Sequence, residues 1–519
     1  MGACKKGFFS LYFKLNFSNK GKKMKIFLSC IFSLSVLFAK DLIIAHPVNV
    51  GKLNPHLYSP NEMFAQVLSY ESLVRYNNGK IEPLIANSWK ISKDGTSYIF
   101  TITKGQKFSD GTKLDAYAVE KNFKTIMMNK QMHDWLGLIN KIKAFKALDE
   151  EHFELVLTSP YVATLQELSL PRPFRILAPS AFLDENTAKG IKAPIGSGAW
   201  ILKETRLGEY DIFEFNPYFR GQKPNFDRLI VRVLPEPNSR VLALESGAVD
   251  LLVGRDIISY ENFKRLSQNA KYTTLQSKVQ GTNMLVINAS NDRATKDKNL
   301  RKSIINAFCK DIIISGILLN LNKRADTLFH PSLPFANLTK KPEIPACKSV
   351  KPYEKSINLD LVYIGTNPIQ KAIAEALQGD LARINIYLNL VASEQVSFYQ
   401  RQKSGNFDLT FNATWGDPYD PHSFLGSMLK PSHADFAIQK NLANKGEIDK
   451  AINTLLITNN QNELKKIYSF ILNALQESLV YLPINYENVF AVYEKGKIEN
   501  FEFGAMATEF MLHTIKLNK

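Results

Sequence analysis

A segment in the C-terminal half of the chain places the strongest constraint on the fold, because strands and helices alternate along it. Apolar residues occupy every second position over 357–363, as in a half-buried strand, and then recur at helical spacing over 369–381. Two further strands are predicted at 386–390 and 407–411. A strand, a helix and a strand in this order predict a parallel pair with a right-handed crossover. Ligands bind beyond the carboxyl ends of such strands, so 414–421 is a candidate binding segment.

The length of 519 residues exceeds what one hydrophobic core supports, since single cores stop growing near ~250–300 residues. We therefore expect a mixed α/β protein with more than one lobe. The formal net charge is +16, and residues 1–39 contribute seven lysines and no acid, which leaves +9 for residues 40–519. That surplus is spread through segments of mixed sign without a nucleic-acid-binding motif, so we expect no nucleic-acid partner.

The N-terminal segment has the pattern of a secretory signal peptide. A lysine directly after Met24 precedes the short apolar stretch 26–38, which is followed by Ala39 and then by charged residues. We expect export with cleavage after Ala39. Residues 1–23 are then an upstream extension, and the sequence leaves open whether Met1 or Met24 is the start. No apolar run of ~18 or more residues follows, so we expect no membrane span in the body of the chain.

Two cysteines, Cys309 and Cys347, remain after removal of that segment. An exported chain can oxidise such a pair, but two cysteines do not make a disulfide framework, and the sequence does not give their distance in space. Cys309 directly follows the apolar run 304–308, so a buried free thiol is an equally good expectation.

Four sequence motifs follow one another in order within the part of the chain that runs from about Lys40 to the C-terminus. They occupy 86–95 with 108–111, 195–200, 216–219 and 244–250. In these residues the chain resembles the periplasmic solute-binding family (family 5) that serves ABC importers of dipeptides, oligopeptides and nickel. The resemblance implies a two-lobed, class II binding protein that closes on ligand by a hinge motion.

The resemblance also implies a division of the chain and a set of partners. Lobe one is expected at 40–280, with 486–519 returning to it, and lobe two at 281–485. The ligand is expected in the cleft between the lobes. The implied partner is an inner-membrane ABC permease, and the implied state is a monomer without enzymatic activity.

A second group of stretches resembles the nickel-binding branch of this family. They are 47–51, 53–58, 61–66, 168–175 and 431–436. They imply that the periplasmic ligand is nickel in a small organic chelate, for example with histidine, for delivery to the permease. Nickel favours tetragonal or higher coordination by nitrogen and oxygen. The sequence has no His-x₃-His or Cys-x₂-Cys pair to fill such a shell, so we expect the chelator to supply most of the ligands.

Two residues are candidates for direct contact with the chelate. The guanidinium of Arg172 can grip a chelator carboxylate through two hydrogen bonds, and the resemblance places this residue at the cleft. Arg175 competes for the role, and a structural arginine that caps backbone carbonyls is an equal alternative for either. His433, in a loop that begins at Pro431, is the candidate metal ligand, although an exposed loop histidine is the simpler interpretation. Further histidines considered for metal contact are His46, His330 and His513.

Six more residues match the cleft lining of the nickel-binding branch: Met63, Trp135, Tyr399, Trp415, Tyr419 and Thr508. Aromatic rings exclude water and pack on flat chelate rings, and hydroxyl groups bond to ligand oxygens. Ordinary core packing is the alternative for each. One position departs from the branch, because Met132 stands where a second arginine accompanies the cleft tryptophan. We therefore expect weaker selection for highly anionic chelators.

Two other functions compete with nickel binding. Peptide binders of the same family place an aspartate three residues after the equivalent of Trp415, where it pairs with the peptide amino group; this chain has Pro418 there and Asp417 beside it. An exported metal-dependent hydrolase would need about three protein ligands and an activated water. The sequence has neither a His-Glu-x-x-His motif nor a Gly-x-Ser-x-Gly elbow, so we expect no catalytic residue and no catalytic cofactor.

Overall fold

Strands and helices alternate along the chain in the computed structural model, which describes residues 40–57, 63–340, 347, 350–431 and 434–518. The strands are β1 Asp41–His46, β2 Val74–Asn77, β3 Lys80–Pro83, β4 Ala86–Ile91, β5 Ser97–Ile102, β6 Ile142–Ala147, β7 His152–Leu157, β8 Phe182–Leu183, β9 Asn186–Ile191, β10 Trp200–Arg206, β11 Tyr210–Phe215, β12 Arg228–Val233, β13 Leu251–Gly254, β14 Tyr272–Ile287, β15 Lys323–Arg324, β16 Ile357–Ile364, β17 Ile386–Ser393, β18 Leu409–Ala413, β19 Tyr481–Glu494, β20 Ile498–Glu499 and β21 Lys516–Leu517. The helices are α1 Met63–Ser69, α2 Ala116–Met128, α3 Thr164–Leu168, α4 Pro237–Glu245, α5 Tyr260–Ser267, α6 Lys298–Ala307, α7 Lys310–Ile312, α8 Pro368–Ala382, α9 Gln395–Ser404, α10 His422–Ser427, α11 Ala434–Gln439, α12 Lys445–Leu455 and α13 Gln461–Ser478.

The predicted strand–helix–strand unit is confirmed by β16, α8 and β17. Strand β16 pairs in parallel with β17 on one side and with β18 on the other. Helix α8 begins where the Asn367 side chain accepts hydrogen bonds from the backbone of Ile369 and Gln370, with Pro368 at its first position. Its buried face, which includes Ile373 and Leu377, covers the sheet. The carboxyl ends of these strands therefore share one edge.

A second group of parallel strands is formed by β12, β1 and β13, in that spatial order. Asp41 of β1 is paired with Arg228 of β12, and Ile44 with Leu251 of β13, in both cases in parallel. Strands β10 and β11 extend this group by antiparallel pairing. The three parallel strands end at the same edge, so the residues that follow β13 lie where open sheets of parallel strands commonly bind ligands.

Two long strands, β14 and β19, join the two groups into one sheet with the order β10-β11-β12-β1-β13-β19-β14-β18-β16-β17. We call them the crossing strands. The C-terminal end of β19 pairs with β13, and the C-terminal end of β14 pairs with β18. Because β14 and β19 are antiparallel, these two ends lie at opposite ends of the crossing pair. Their mutual register shifts between Gln276 and Val279, again before Gly281, and again between Asn283 and Met284. The predicted boundaries 280/281 and 485/486 fall within these strands.

A separate four-stranded sheet, β4-β5-β7-β6, packs against α2 in the N-terminal part of the chain. The Asp115 side chain caps α2 by accepting a hydrogen bond from the Ala118 backbone at 2.9 Å. Cys309 and Cys347 form a disulfide bond, with Cα atoms 5.1 Å apart, which decides between the two expectations for these residues. Among the described residues, the helices are all too short or too polar to cross a membrane. The predicted signal peptide and its cleavage site lie outside the described residues.

Candidate ligand-binding site

Three of the predicted lining residues meet in an aromatic cluster, which we define as Trp135, Trp415 and Tyr419. The ring centroids of Trp135 and Trp415 lie 5.2 Å apart with nearly perpendicular planes, and Tyr419 lies 5.7 Å from Trp415 and 6.2 Å from Trp135. All three side chains are half-buried. Trp135 comes from the N-terminal part of the chain, whereas the other two follow β18. The cluster thus joins a segment that precedes β14 in the chain to one that lies between β14 and β19.

The turn that carries Trp415 is fixed by the carboxylate of Asp420, which accepts hydrogen bonds from the backbone of Trp415 at 3.2 Å and of Gly416 at 2.9 Å. Burial raises the pKa of Asp420 to about 7. Gly416 has a left-handed backbone with φ of 76°, and a β-carbon there would lie 2.9 Å from the carbonyl carbon of Gln280. Only glycine therefore fits where this turn meets the crossing strand β14.

Asp417, the residue next to the peptide-binder position, is engaged by a residue from the N-terminal part of the chain. The hydroxyl of Tyr76 donates a hydrogen bond to its carboxylate at 3.0 Å. Burial raises the pKa of Asp417, and this hydrogen bond opposes the rise. Tyr76 lies on β2, so this bond, like the aromatic cluster, joins the N-terminal part of the chain to the segment after β18.

Further contacts bracket Trp135. The Ser423 hydroxyl, in α10, donates to the buried carboxylate of Glu167 at 2.9 Å, and the Tyr161 hydroxyl donates to the same oxygen at 2.6 Å. The ammonium group of Lys430 donates to the backbone carbonyl of Asp134. These bonds hold segments that precede β14 in the chain against segments that follow it. Burial raises the pKa of Glu167.

Arg172 and Arg175 differ in what they contact. Arg172 is 5% exposed, and its Nη2 donates to the sulfur of Met63 at 3.2 Å, a weak acceptor. Arg175 Nη1 donates to the backbone carbonyl of Tyr70 at 2.9 Å, and burial lowers the pKa of Arg175. The structure thus brings Arg172 into contact with Met63, while Arg175 supports a neighbouring backbone.

Two buried histidines lie behind Arg172. His133 Nε2 is 3.0 Å from the backbone oxygen of His56, whose own Nδ1 is 3.1 Å from the hydroxyl of Thr187. Burial lowers the pKa of His56 to about 3, with a further contribution from His133. Burial also lowers the pKa of His133, and the guanidinium of Arg172 acts in the same direction. Both rings are therefore neutral near pH 7.

The remaining predicted residues are more dispersed. Tyr399 lies on α9 with 51% exposure and contacts the ring of Phe398. Thr508 is half-buried in the C-terminal segment, two residues before Phe510, whose ring is 6.3 Å from that of Phe64 beside Met63. His433 lies outside the described residues.

The other histidines have local partners. His46 ends β1, with Nδ1 2.8 Å from the Val48 carbonyl oxygen; His330 Nδ1 is 2.6 Å from the hydroxyl of Ser332; and His513 packs on the ring of Phe219 at 5.2 Å. Within residues 40–57, 63–340, 347, 350–431 and 434–518, no three His, Cys, Asp or Glu side chains are grouped so as to hold a metal ion.

An ion pair that the sequence did not predict lies at the end of β13. Arg255 follows this strand directly, and its Nη2 lies 2.8 Å from the carboxylate of Glu487 on β19. The interaction with Glu487 raises the pKa of Arg255, and Tyr399 contributes in the same direction. The position of 255 after a buried strand of a parallel group is the signal that would have found it.

A sheet made of two parallel-stranded groups, joined by two crossing strands and carrying an aromatic cluster beyond a strand end, defines a bacterial solute-binding protein of the two-lobed class. The chain belongs to the bacterial extracellular solute-binding proteins, family 5, whose family model matches residues 80–436. The mixed α/β fold and the family expected from the sequence are thereby confirmed.

Three relatives show which members of this family the chain resembles. The chain is 41% identical to the nickel-binding periplasmic protein of Escherichia coli over 92% of this chain and 94% of the relative. It is also similar to the crystal structure of NikA from Brucella suis in complex with Fe(III)-EDTA, with 41% identity, a TM-score of 0.88, and coverage of 92% of this chain and 100% of that one. A probable D,D-dipeptide-binding periplasmic protein of Escherichia coli is 23% identical over 93% of this chain and 98% of its own length.

Proposed function

We propose that this chain is the substrate-binding component of a nickel ABC importer. It binds nickel as a small-molecule chelate in the periplasm and delivers it to an inner-membrane permease. The observation that carries this proposal is the 41% identity over nearly the whole chain with a nickel-binding periplasmic protein, against 23% for a dipeptide-binding relative. A metal chelate bound to a second relative with 41% identity agrees with a chelated rather than a bare cargo.

The contacts around the aromatic cluster suit a chelate. Half-buried aromatic rings offer flat apolar surface to chelate rings, and the nearly perpendicular Trp135 and Trp415 form two walls of a corner. The planar guanidinium of Arg172, which can grip a carboxylate through two hydrogen bonds, supports recognition of a chelator carboxylate. Its contact with the Met63 sulfur places the guanidinium beside another of the predicted lining residues. His433 supplies the imidazole for the metal.

The lobes and the processing of the chain belong to the same proposal. Lobe one comprises 40–280 with 486–519, and lobe two comprises 281–485, so that the crossing strands contain the hinge. The chain is exported, is cleaved after Ala39 and acts as a monomer. Mass determination of the mature protein, together with its mass in solution by light scattering, tests these assignments; a mature N-terminus elsewhere or a stable dimer contradicts them.

Peptide binding is the second candidate, because the family includes peptide binders and Asp417 lies close to the position that pairs with a peptide amino group. The hydrogen bond from Tyr76 already engages Asp417, so a peptide would have to displace it. Large thermal stabilisation of the protein by di- and tripeptides, without stabilisation by nickel chelates, would reverse the order of the two functions.

Isothermal titration of residues 40–519 with nickel and histidine tests the nickel function. Replacing Arg172 or His433 by alanine should each weaken binding at least tenfold, since each removes a charge-assisted or metal contact. Matched controls are Arg206→Ala, at an arginine with 62% side-chain exposure, and His152→Ala, at a histidine with 41%. Full affinity after both site replacements would contradict the assignment.

A further inference from the structure

The ion pair of Arg255 and Glu487 joins the sheet edge at which β1, β12 and β13 end to the crossing strand β19. Arg255 is the first residue after β13, at the edge where β1, β12 and β13 all end. Glu487 is paired across the ladder with Gly281, within the stretch of shifted register. A β-carbon on Gly281 would lie 3.0 Å from the carbonyl oxygen of Thr414, the residue before Trp415. Glu487 is therefore separated from the turn that carries the aromatic cluster by a single strand.

The backbone that presents Arg255 is held rigidly. Arg240, which is 1% exposed, donates from Nε to the carbonyl of Ile257 at 2.7 Å and from Nη2 to that of Asp256 at 3.0 Å. It also donates to the backbone carbonyls of Leu234 and Pro235, each at 2.7 Å. One buried guanidinium thus ties the residues after β12 to those after β13. Because this loop is already fixed, its backbone loses little further conformational entropy when Arg255 binds a ligand.

The two partners of the ion pair differ in exposure. The Arg255 side chain is 45% exposed, whereas that of Glu487 is 13% exposed. A guanidinium has five N–H donors, and the closest approach of the Glu487 carboxylate is to Nη2 of Arg255, at 2.8 Å. The exposed part of the pair is therefore the cation, while the covered carboxylate reduces its net charge. Asp256, Tyr260 and Tyr399 are the other titratable groups that interact with Arg255, and Tyr399 reaches it from α9 of the other strand group.

We propose that Arg255 is a second contact for the chelator carboxylate and that Glu487 limits its attraction for anions. Together they set how negatively charged a bound chelate can be. This inference rests on the proposed nickel-chelate function. Arg172 recognises one carboxylate, and Arg255, already neutralised by its partner, accepts a second one only when the ligand competes with Glu487.

Isothermal titration with two nickel complexes tests this inference: the anionic complex with citrate and the uncharged complex with two histidines. Arg255→Gln should weaken binding of the citrate complex at least tenfold, whereas Glu487→Gln should tighten it severalfold because it releases the guanidinium. Binding of the bis-histidine complex should change less than threefold in both variants. Arg255→Lys, which keeps the charge but loses the fork, should give an intermediate loss for citrate.

The ion pair of Arg228 and Asp41 provides a matched control, since its 2.7 Å separation and its side-chain exposures of 40% and 16% are close to those of the proposed pair. Arg228→Gln and Asp41→Asn should leave both affinities unchanged. Changes of the same sign in Arg255→Gln and Glu487→Gln, or equal changes for both complexes, overturn the inference while leaving the nickel function in place. Failure of the unmodified protein to bind either complex overturns the nickel function itself, and this inference with it.

Discussion

Replacement of Gly416 by alanine probes the junction between the aromatic turn and the crossing strand β14. An alanine there must adopt a left-handed backbone, with φ of 76°, which costs roughly 1–2 kcal/mol. Its β-carbon would also lie 2.9 Å from the carbonyl carbon of Gln280, and relief of such an overlap costs roughly 1–3 kcal/mol more. We expect a loss of roughly 2–5 kcal/mol in the free energy of unfolding. Binding of nickel with histidine should also weaken, because Trp415 is displaced.

Gly247 separates the two costs. It has the same φ of 76°, and a β-carbon there would meet no atom within 4 Å. Gly247→Ala should therefore cost only the roughly 1–2 kcal/mol of the left-handed backbone and leave ligand affinity unchanged. Urea unfolding followed by tryptophan fluorescence, with isothermal titration in parallel, measures both quantities. Equal losses of stability in the two variants would refute the argument that the turn is packed against the Gln280 carbonyl.

Three further predictions concern ionisation, oxidation and charge. Burial raises the pKa of Asp420 from 3.8 to about 7, so between these values the folded protein holds a proton that the unfolded chain releases, and the stability from Asp420 falls as the pH rises. The unfolding free energy of the wild type should therefore fall by about 2 kcal/mol relative to that of Asp420→Asn between pH 5 and pH 7. A constant difference between the two proteins would contradict the burial argument. Replacing both Cys309 and Cys347 by alanine removes a disulfide bond between residues 38 positions apart, so the free energy of unfolding measured in urea should fall by about 2–4 kcal/mol. An unchanged unfolding midpoint would contradict this prediction. Met132→Arg adds a cation three residues from Trp135 and should raise the affinity for the nickel–citrate complex severalfold in titration, without a comparable gain for the uncharged complex.

The periodic part of the fold could be read from the sequence. Alternation over 357–363 and helical spacing over 369–381 predicted β16 and α8, because local period and burial coincide there. The rule that ligands lie beyond the ends of parallel strands then selected Trp415 and Tyr419, and these residues do meet Trp135 in space.

What the sequence could not supply are pairings between distant segments. The contact of Arg255 with Glu487 depends on β19 lying beside β13, and a 14-residue strand carries no local signal for its neighbour. The hydrogen bond from Tyr76 to Asp417 and the bond between Cys309 and Cys347 could not be predicted for the same reason, since each joins residues that are distant in the sequence. Side-chain chemistry alone left each of them open.

The pairing of β13 with β19 can form only late in the synthesis of the chain. Leu251 lies opposite Tyr493, so the edge of β13 has no neighbour until nearly all of the polypeptide has been made. Contacts between such distant positions form slowly, and an uncovered strand edge invites aggregation while it waits. A chain truncated before residue 481 should therefore leave this edge of β13 exposed and aggregate more readily than the full-length chain, in which β19 covers it.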